Sequence, residues 1–203
     1  MVSCLVGIGS NLGNPLATLQ WLYALWPSTP FHENARFSSI YSSAPIGPGL
    51  QQDYLNAVVI FDFDSGSAAN ALEGLQHIEN LAGRVRAERW GPRVLDLDLL
   101  LFGERVVNEP ALTVPHPRMW ERNFVIAPMT DLLGQNWLTP MGISLADQLK
   151  RCEPNRIQLT SHSWFGDITA DESEDRTPAA LTTSRPAYAS GGAKAKVRRQ
   201  PEP

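Results

Sequence analysis

The chain has 203 residues, 43% of them hydrophobic, and a formal net charge of −4. That content fills one globular domain with an appendage, and the charge argues against a nucleic-acid footprint or attraction to anionic membranes. No apolar run reaches the length of a membrane span, the N-terminus lacks a charged stretch leading into an apolar one, and Cys4 and Cys152 are too few for a disulfide framework, so the expectation is a cytoplasmic protein with reduced thiols.

Residues 2–8 are apolar enough for a core strand and run into Gly9-Ser10-Asn11-Leu12-Gly13-Asn14-Pro15, a turn in which Asn14 can cap a helix and Pro15 can open it. Leu16, Leu19, Leu22, Tyr23 and Trp26 recur at helical spacing until Pro27 and Pro30. Alternation over 36–42 predicts a half-buried strand, and 44–52, with Pro45, Gly47, Pro48 and Gly49, a loop. A long strand is predicted over 54–63, with Tyr54, Asn56 and Val58 on one face and Leu55, Ala57 and Val59 on the other. Ser65-Gly66-Ser67 starts a second helix whose buried stripe is Leu72, Leu75 and Ile78.

An arginine-rich stretch follows, with Arg84, Arg86, Arg89 and Arg93 around Trp90, Gly91 and Pro92, and leads into a strand over 93–101. Strict alternation there sets Leu95, Leu97, Leu99 and Leu101 on one face and Asp96 and Asp98 on the other, about 7 Å apart along the strand. An acidic pair two residues apart is common on solvated strand faces, and four arginines alone make a solvated loop. Flanking leucines argue instead for a central strand, where two carboxylates are costly to desolvate unless a cation joins them. All-oxygen ligands favour Mg²⁺, and guanidinium forks suit phosphate oxygens, so the combination points to a nucleotide triphosphate as ligand. Up to Phe165 there are ten arginines and one lysine, Lys150. The fixed fork geometry therefore dominates the cations.

The element order strand, helix, strand, strand, helix, strand is an α+β, ferredoxin-like βαββαβ arrangement, with a mainly antiparallel sheet, helices on one face and the other face left for a site. Beyond it, 106–117 reads as irregular or short-strand structure, 118–133 as a helix interrupted by Pro128, and 144–152 as a short helix, together a C-terminal helical extension. Domain organisation is expected as one domain over 1–165 and a disordered tail over 166–203, acidic, then rich in Ala, Ser, Thr and Pro, then basic. Three other classes fit parts of the pattern. A nucleotidyltransferase sets Gly-Ser close before its acids, whereas Gly9-Ser10 is far from Asp96. A metal-dependent glycosyltransferase uses D-x-D in a larger domain. A ferredoxin-like regulatory module explains the fold but not the acids facing arginines.

Five blocks in order resemble the 6-hydroxymethyl-7,8-dihydropterin pyrophosphokinase family: Gly9-Ser10-Asn11-Leu12-Gly13; Ala44-Pro45-Ile46-Gly47-Pro48 with Asp53-Tyr54-Leu55-Asn56; Glu88-Arg89-Trp90-Gly91-Pro92-Arg93 with Leu95-Asp96-Leu97-Asp98; Leu112-Thr113-Val114-Pro115-His116-Pro117; and Arg122-Asn123-Phe124. The resemblance implies transfer of the β,γ-pyrophosphoryl group of ATP to the hydroxymethyl oxygen of the pterin, with release of AMP, in folate biosynthesis. By that similarity Asp96 and Asp98 hold two Mg²⁺ ions and, with Arg84 and Arg93, are catalytic. Gln76, Arg84, Trp90, Arg93, Leu99, Thr113, His116 and Arg122 match ATP-side positions. Tyr54, Asn56, Trp90 and Phe124, with backbone groups at Ser43, Ala44 and Ile46, match the pterin side. The implied partners are ATP and the pterin; the charge leads to the expectation of no nucleic acid or membrane, and a monomer is expected with an oligomer left open. The chain departs from the pattern in a stretch 84–90 one residue shorter, which leaves the roles of Arg86 and Arg89 open, in Ala44 where a second proline often stands, and in the tail.

Overall fold

The apolar N-terminal run forms strand β1 (Val2–Ser10), and Asn14 then accepts the Ala17 N–H at 3.1 Å to start helix α1 (Pro15–Leu25), a cap worth about 1 kcal/mol. In this computed structural model, which describes residues 1–46, 50–64, 66–84 and 91–165, the chain continues through β2 (Arg36–Phe37), β3 (Tyr41–Ser43), β4 (Tyr54–Phe63), α2 (Ala68–Leu81) and β5 (Asp96–Phe102). A hairpin of β6 (Val107–Glu109) and β7 (Leu112–Val114) follows, then α3 (Asn123–Leu133), α4 (Leu145–Arg151) and β8 (Ile157–Leu159). The strand order is β5-β1-β4-β3-β8, with β2 also on β4, and every pairing is antiparallel. Each split βαβ unit brackets a strand of the other, which is the ferredoxin-like arrangement expected from the element order.

Alternation sends the two faces of the sheet into two cores. Val6, Ile8, Ala57, Val59, Leu97 and Leu99 pack with Leu19 and Leu22 of α1 and Leu75 and Ile78 of α2. Leu5, Val58 and Leu100 pack on the other side with Val125, Ile126 and Met129 of α3 and Leu145 of α4. Within the first core Phe31 is fully buried against Trp26, Phe61 and Phe63, with ring centroids 5.1–5.8 Å apart, and the Trp26 indole N–H is satisfied by the Phe31 carbonyl at 2.8 Å. Gly74 of α2 faces this cluster, where a Cβ would lie 2.6 Å from Phe31 Cζ. A Gly74→Ala exchange therefore gains about 1 kcal/mol of helix propensity but forces a ring that has nowhere to move, at about 1–3 kcal/mol. The expected result is a lower melting temperature, by up to about 8 °C, in a thermal unfolding curve; a variant melting above the parent would mean that Phe31 yields.

The structure departs from the expected elements at several places. Strict alternation over β5 fails because the register with β1 shifts between Leu5 and Val6, where Leu5 faces Leu101 and Val6 faces Leu99. Leu100 is the extra residue of a β-bulge, so Leu101 turns to the α3 side and Phe102 takes the place expected for it in the first core. The strand expected over 36–42 is two, β2 and β3, separated where Ser38 Oγ accepts the Val58 N–H at 2.9 Å. Residues 118–133 do not form one helix: a single tight turn at Met119–Glu121 precedes α3, which runs unbroken through the buried Pro128. The second sheet face is not free either, since α3 and α4 cover part of it and leave a cleft beside them. Both cysteines are free, with burial (and, less, Asp62) pushing Cys4 up to about 12 and burial pushing Cys152 up to about 11. The expected tail, 166–203, lies outside the described residues.

Candidate active site

The floor of the cleft follows from register. Gly7 of β1 pairs with Asp98 and Gly9 with Asp96 on one side, while Gly9 pairs with Asn56 of β4 on the other. Paired residues share a face, so Asp96, Asp98 and Asn56 rise from the same side of the sheet around two residues with no side chain. A Cβ on Gly9 would touch Asn56, Tyr54 and Asp96 at 3.7–3.9 Å, so the glycine keeps open a space that those groups share. The resulting cleft holds about 350 Å³, enough for a small ligand.

Cations gather on the two carboxylates. Arg93 Nη1 donates to Asp96 Oδ1 at 2.6 Å, and Arg84 Nη2 reaches the same oxygen at 3.1 Å. Arg122 Nη1 stands 3.6 Å and His116 Nε2 3.9 Å from Asp98 Oδ2. Burial, then the charge of Asp96, pushes the Asp98 pKa above the usual carboxylate value, and His116, Arg122 and Arg93 only partly offset it. The His116 ring is set by its neighbours: Nδ1 accepts the Arg118 N–H at 3.2 Å, which leaves the ring proton on Nε2, facing Asp98. Burial, helped by Arg122 and Arg118, lowers the His116 pKa against the pull of Asp98, so the neutral ring is favoured. Among the described residues no three His, Cys, Asp or Glu side chains converge into a metal cage. Asp96 and Asp98 could hold a divalent cation, which would take its remaining ligands from water and a bound anion, as Mg²⁺ does.

The other end of the cleft is aromatic and amide-lined. Tyr54 and Asn56 project from β4, Phe124 from the first turn of α3, and Ser43, Ala44 and Ile46 from the end of β3 and the loop after it. Asn56 is almost fully buried and donates to Ser43 Oγ at 2.9 Å. Arg122 joins the two ends, its guanidinium carbon 5.6 Å from the Phe124 ring centre.

Eleven of the residues singled out from the sequence thus line one cleft: Ser43, Ala44, Ile46, Tyr54, Asn56, Arg93, Asp96, Asp98, His116, Arg122 and Phe124. Arg84 is bonded to Asp96 without lining it. Leu99 is buried in the first core, Thr113 is exposed on the hairpin, and Gln76 is exposed on α2. Trp90, Arg86 and Arg89 lie outside the described residues. Two residues that hold the site escaped the sequence reading. Glu79 of α2, 4% exposed, accepts the Leu97 N–H at 2.8 Å and pairs with Arg84, and burial raises its pKa while those two contacts hold it down. Asn11 accepts the Arg93 N–H at 2.9 Å and donates to Gln51 Oε1 and the Gln52 carbonyl at 3.2 Å, tying three loops together. Only the Gly-Ser-Asn run marked Asn11 in the sequence, and nothing marked Glu79.

Residues 5–134 match the family model for 7,8-dihydro-6-hydroxymethylpterin-pyrophosphokinase. The chain is 39% identical over 132 residues to the 2-amino-4-hydroxy-6-hydroxymethyldihydropteridine pyrophosphokinase of Haemophilus influenzae, covering 65% of this chain and 82% of the relative. It is 40% identical over 147 residues to that of Pseudomonas aeruginosa, covering 72% and 90%. Among solved structures, Plasmodium falciparum HPPK-DHPS with SDX-DHP superposes with a TM-score of 0.55 at 10% identity, over 74% of this chain and 43% of that one, a likeness of fold alone. With a family model matching well over half of its length and relatives covered to more than two thirds of theirs, the chain belongs to the 7,8-dihydro-6-hydroxymethylpterin-pyrophosphokinase family.

Proposed function

We infer that the chain transfers the pyrophosphoryl group of ATP to the hydroxymethyl oxygen of 6-hydroxymethyl-7,8-dihydropterin, giving the pterin diphosphate and AMP, in folate synthesis. The observation that carries this reading is the cleft's division of labour: paired carboxylates ringed by guanidinium groups at one end, and Tyr54, Phe124 and Asn56 at the other.

Asp96 and Asp98 fit magnesium, because two mutually repelling carboxylates, one of them raised by burial, are relieved by a divalent cation. We assign two Mg²⁺ ions to them. The chemistry magnesium supplies when bound is neutralisation of charge across the phosphate oxygens. Arg84 and Arg93, now turned onto Asp96, are assigned to phosphate oxygens, which suit the guanidinium fork as well as a carboxylate does. Arg122 and neutral His116, with its proton on Nε2, donate from the opposite wall. Gln76, Leu99 and Thr113 are assigned to the nucleotide by the resemblance alone, as is the stacking role of Trp90.

The pterin is a flat bicycle with donor and acceptor edges. Tyr54 and Phe124 supply apolar walls, while Asn56 and backbone groups of Ser43, Ala44 and Ile46 read the edge. Holding the acceptor oxygen in line with phosphorus supplies most of the rate, because phosphoryl transfer depends on positioning and charge neutralisation. We assign the enzyme to the cytoplasm, a reducing compartment that suits its unbridged Cys4 and Cys152. The test is to mix protein, Mg·ATP and hydroxymethyl-dihydropterin and separate the products. AMP with pterin diphosphate is expected; ADP, free pyrophosphate or no turnover would count against the reading.

A further inference from the structure

Beyond residue 134, where the match to the family model ends, a short C-terminal segment runs along the pterin end of the cleft, and both Glu153 and Asn155 line it. Its hydrogen bonds converge on the stems of one loop. Ala44, where the chain leaves β3, donates its N–H to the Arg156 carbonyl at 3.0 Å and accepts from Asn155 Nδ2 at 3.0 Å, so both of its backbone groups are held. Asp53, where the chain re-enters β4 one residue before Tyr54, is gripped by Arg156 Nη2 at 2.7 and 2.6 Å. On the opposite wall Asn123, next to Phe124, donates to the Asn155 carbonyl at 2.7 Å. An unbroken series of hydrogen bonds therefore spans from the residue beside one aromatic wall to the loop that supplies the backbone edge groups, and then to the base of Tyr54.

We propose that Asn155 and Arg156 are positioning residues that set the width and register of the pterin slot, and so the affinity for the pteridine but not for the nucleotide. The proposal rests on the functional reading given above and goes beyond it in adding a C-terminal clamp to the site. Neither residue touches the Asp96/Asp98 end, whose cations come from other elements. The segment itself is anchored elsewhere. β8 pairs with β3, Thr160 bonds to the Ile40 carbonyl, the Trp164 indole donates to the Ser38 carbonyl at 2.7 Å, and Gln20 donates to the Ser163 carbonyl. Loss of one clamp side chain leaves these contacts in place, so the loop loosens while the fold persists. The Asn155 side chain has the larger role, since its bond to the Ala44 carbonyl is partly buried whereas the Arg156–Asp53 pair is solvent-exposed and weaker; the Asn155 carbonyl that holds Asn123 stays in every variant.

The experiment compares the parent with Asn155→Ala, the near-isosteric Asn155→Asp, which loses the donor and sets an acceptor against the Ala44 carbonyl, and Arg156→Ala. Steady-state kinetics should give a pterin KM raised about tenfold in both Asn155 variants and about threefold in Arg156→Ala, with ATP KM and kcat at saturating pterin held within about threefold. A pterin-fluorescence titration with a non-hydrolysable ATP analogue reads the same shift without turnover. Arg156→Lys should recover part of the loss. An unchanged pterin affinity in Asn155→Asp, or equal weakening of pterin and ATP, overturns the clamp. Parent protein that releases AMP in the same assay while the clamp variants bind pterin normally would leave the functional reading standing and remove this one alone.

Discussion

Asp98→Ala and Asp96→Ala are each expected to lower kcat by at least about 10³-fold, some 4 kcal/mol of transition-state stabilisation, because each removes half of the anionic site assigned to the metal. Their effects on the fold should differ in sign. Asp98 is pushed towards its neutral form by burial and by Asp96, so exchanging it relieves repulsion, and the melting temperature should stay level or rise. Asp96 accepts from Arg93 at 2.6 Å and from Arg84 at 3.1 Å, partly screened pairs whose loss costs about 1 kcal/mol. The checks are AMP release, thermal melting and Mg²⁺ titration of the nucleotide-bound protein. A variant at either position that kept more than about a tenth of the parent's turnover would contradict the role assigned to the pair.

What the sequence made legible was whatever repeats over a short period. Alternation over 54–63 and 93–99 put Tyr54 with Asn56 and Asp96 with Asp98, because a strand that is buried on one face fixes its register strongly. The same reasoning failed one turn later at Leu100. A bulge is set by the β1 partner, not by the strand's own residues, so Leu101 looked like a fourth leucine of the same face. Pro128 looked like a helix break. It is tolerated because Val125, Ile126, Ala127 and Met129 around it are buried, and that packing offsets the roughly 3 kcal/mol a mid-helix proline costs. β8 has three residues, two of them exposed, and exists by pairing with β3, more than a hundred positions earlier. No local pattern carries that.

The site divides along the same line. Asp96 and Asp98 stood out by periodicity, while Tyr54, Asn56 and the residues on loops were placed in the site by the family resemblance. The groups that hold them in position are polar residues on a turn, a helix and a C-terminal segment: Asn11 was marked only by its Gly-Ser-Asn run, and Glu79 and Asn155 are indistinguishable in sequence from solvated residues. Burial and long-range partners reveal them. Asn11 binds loops 41 residues apart in sequence, and Asn155 reaches back 111 residues to Ala44. These contacts matter because the cleft adds loops and a helix end to the strands of the shared sheet, and such cross-links fix the separation of those added segments to the accuracy that transfer requires.

Glu79 gives the second large effect, and here stability and activity can be separated. The carboxylate is buried at the end of α2, accepts the Leu97 N–H from between the two aspartates, and holds Arg84 against Asp96. Glu79→Ala leaves a buried N–H without its acceptor and takes from Arg84 one of its two carboxylate partners, which should cost about 2–4 kcal/mol of stability, roughly 4–16 °C in melting temperature. Glu79→Gln keeps a carbonyl oxygen for the Leu97 N–H and loses only the charge. It should recover at least half of that stability while Arg84 loses its charged tether. Activity in Glu79→Gln should nonetheless fall about tenfold, mainly in kcat, because Arg84 is no longer aimed at the phosphate end and β5 carries both aspartates past a weakened contact. Denaturant unfolding gives the stability and AMP release gives the rate. If Glu79→Gln were as unstable as Glu79→Ala, the Leu97 contact would not be what Glu79 contributes; if it were as active as the parent, Arg84 would need no tether.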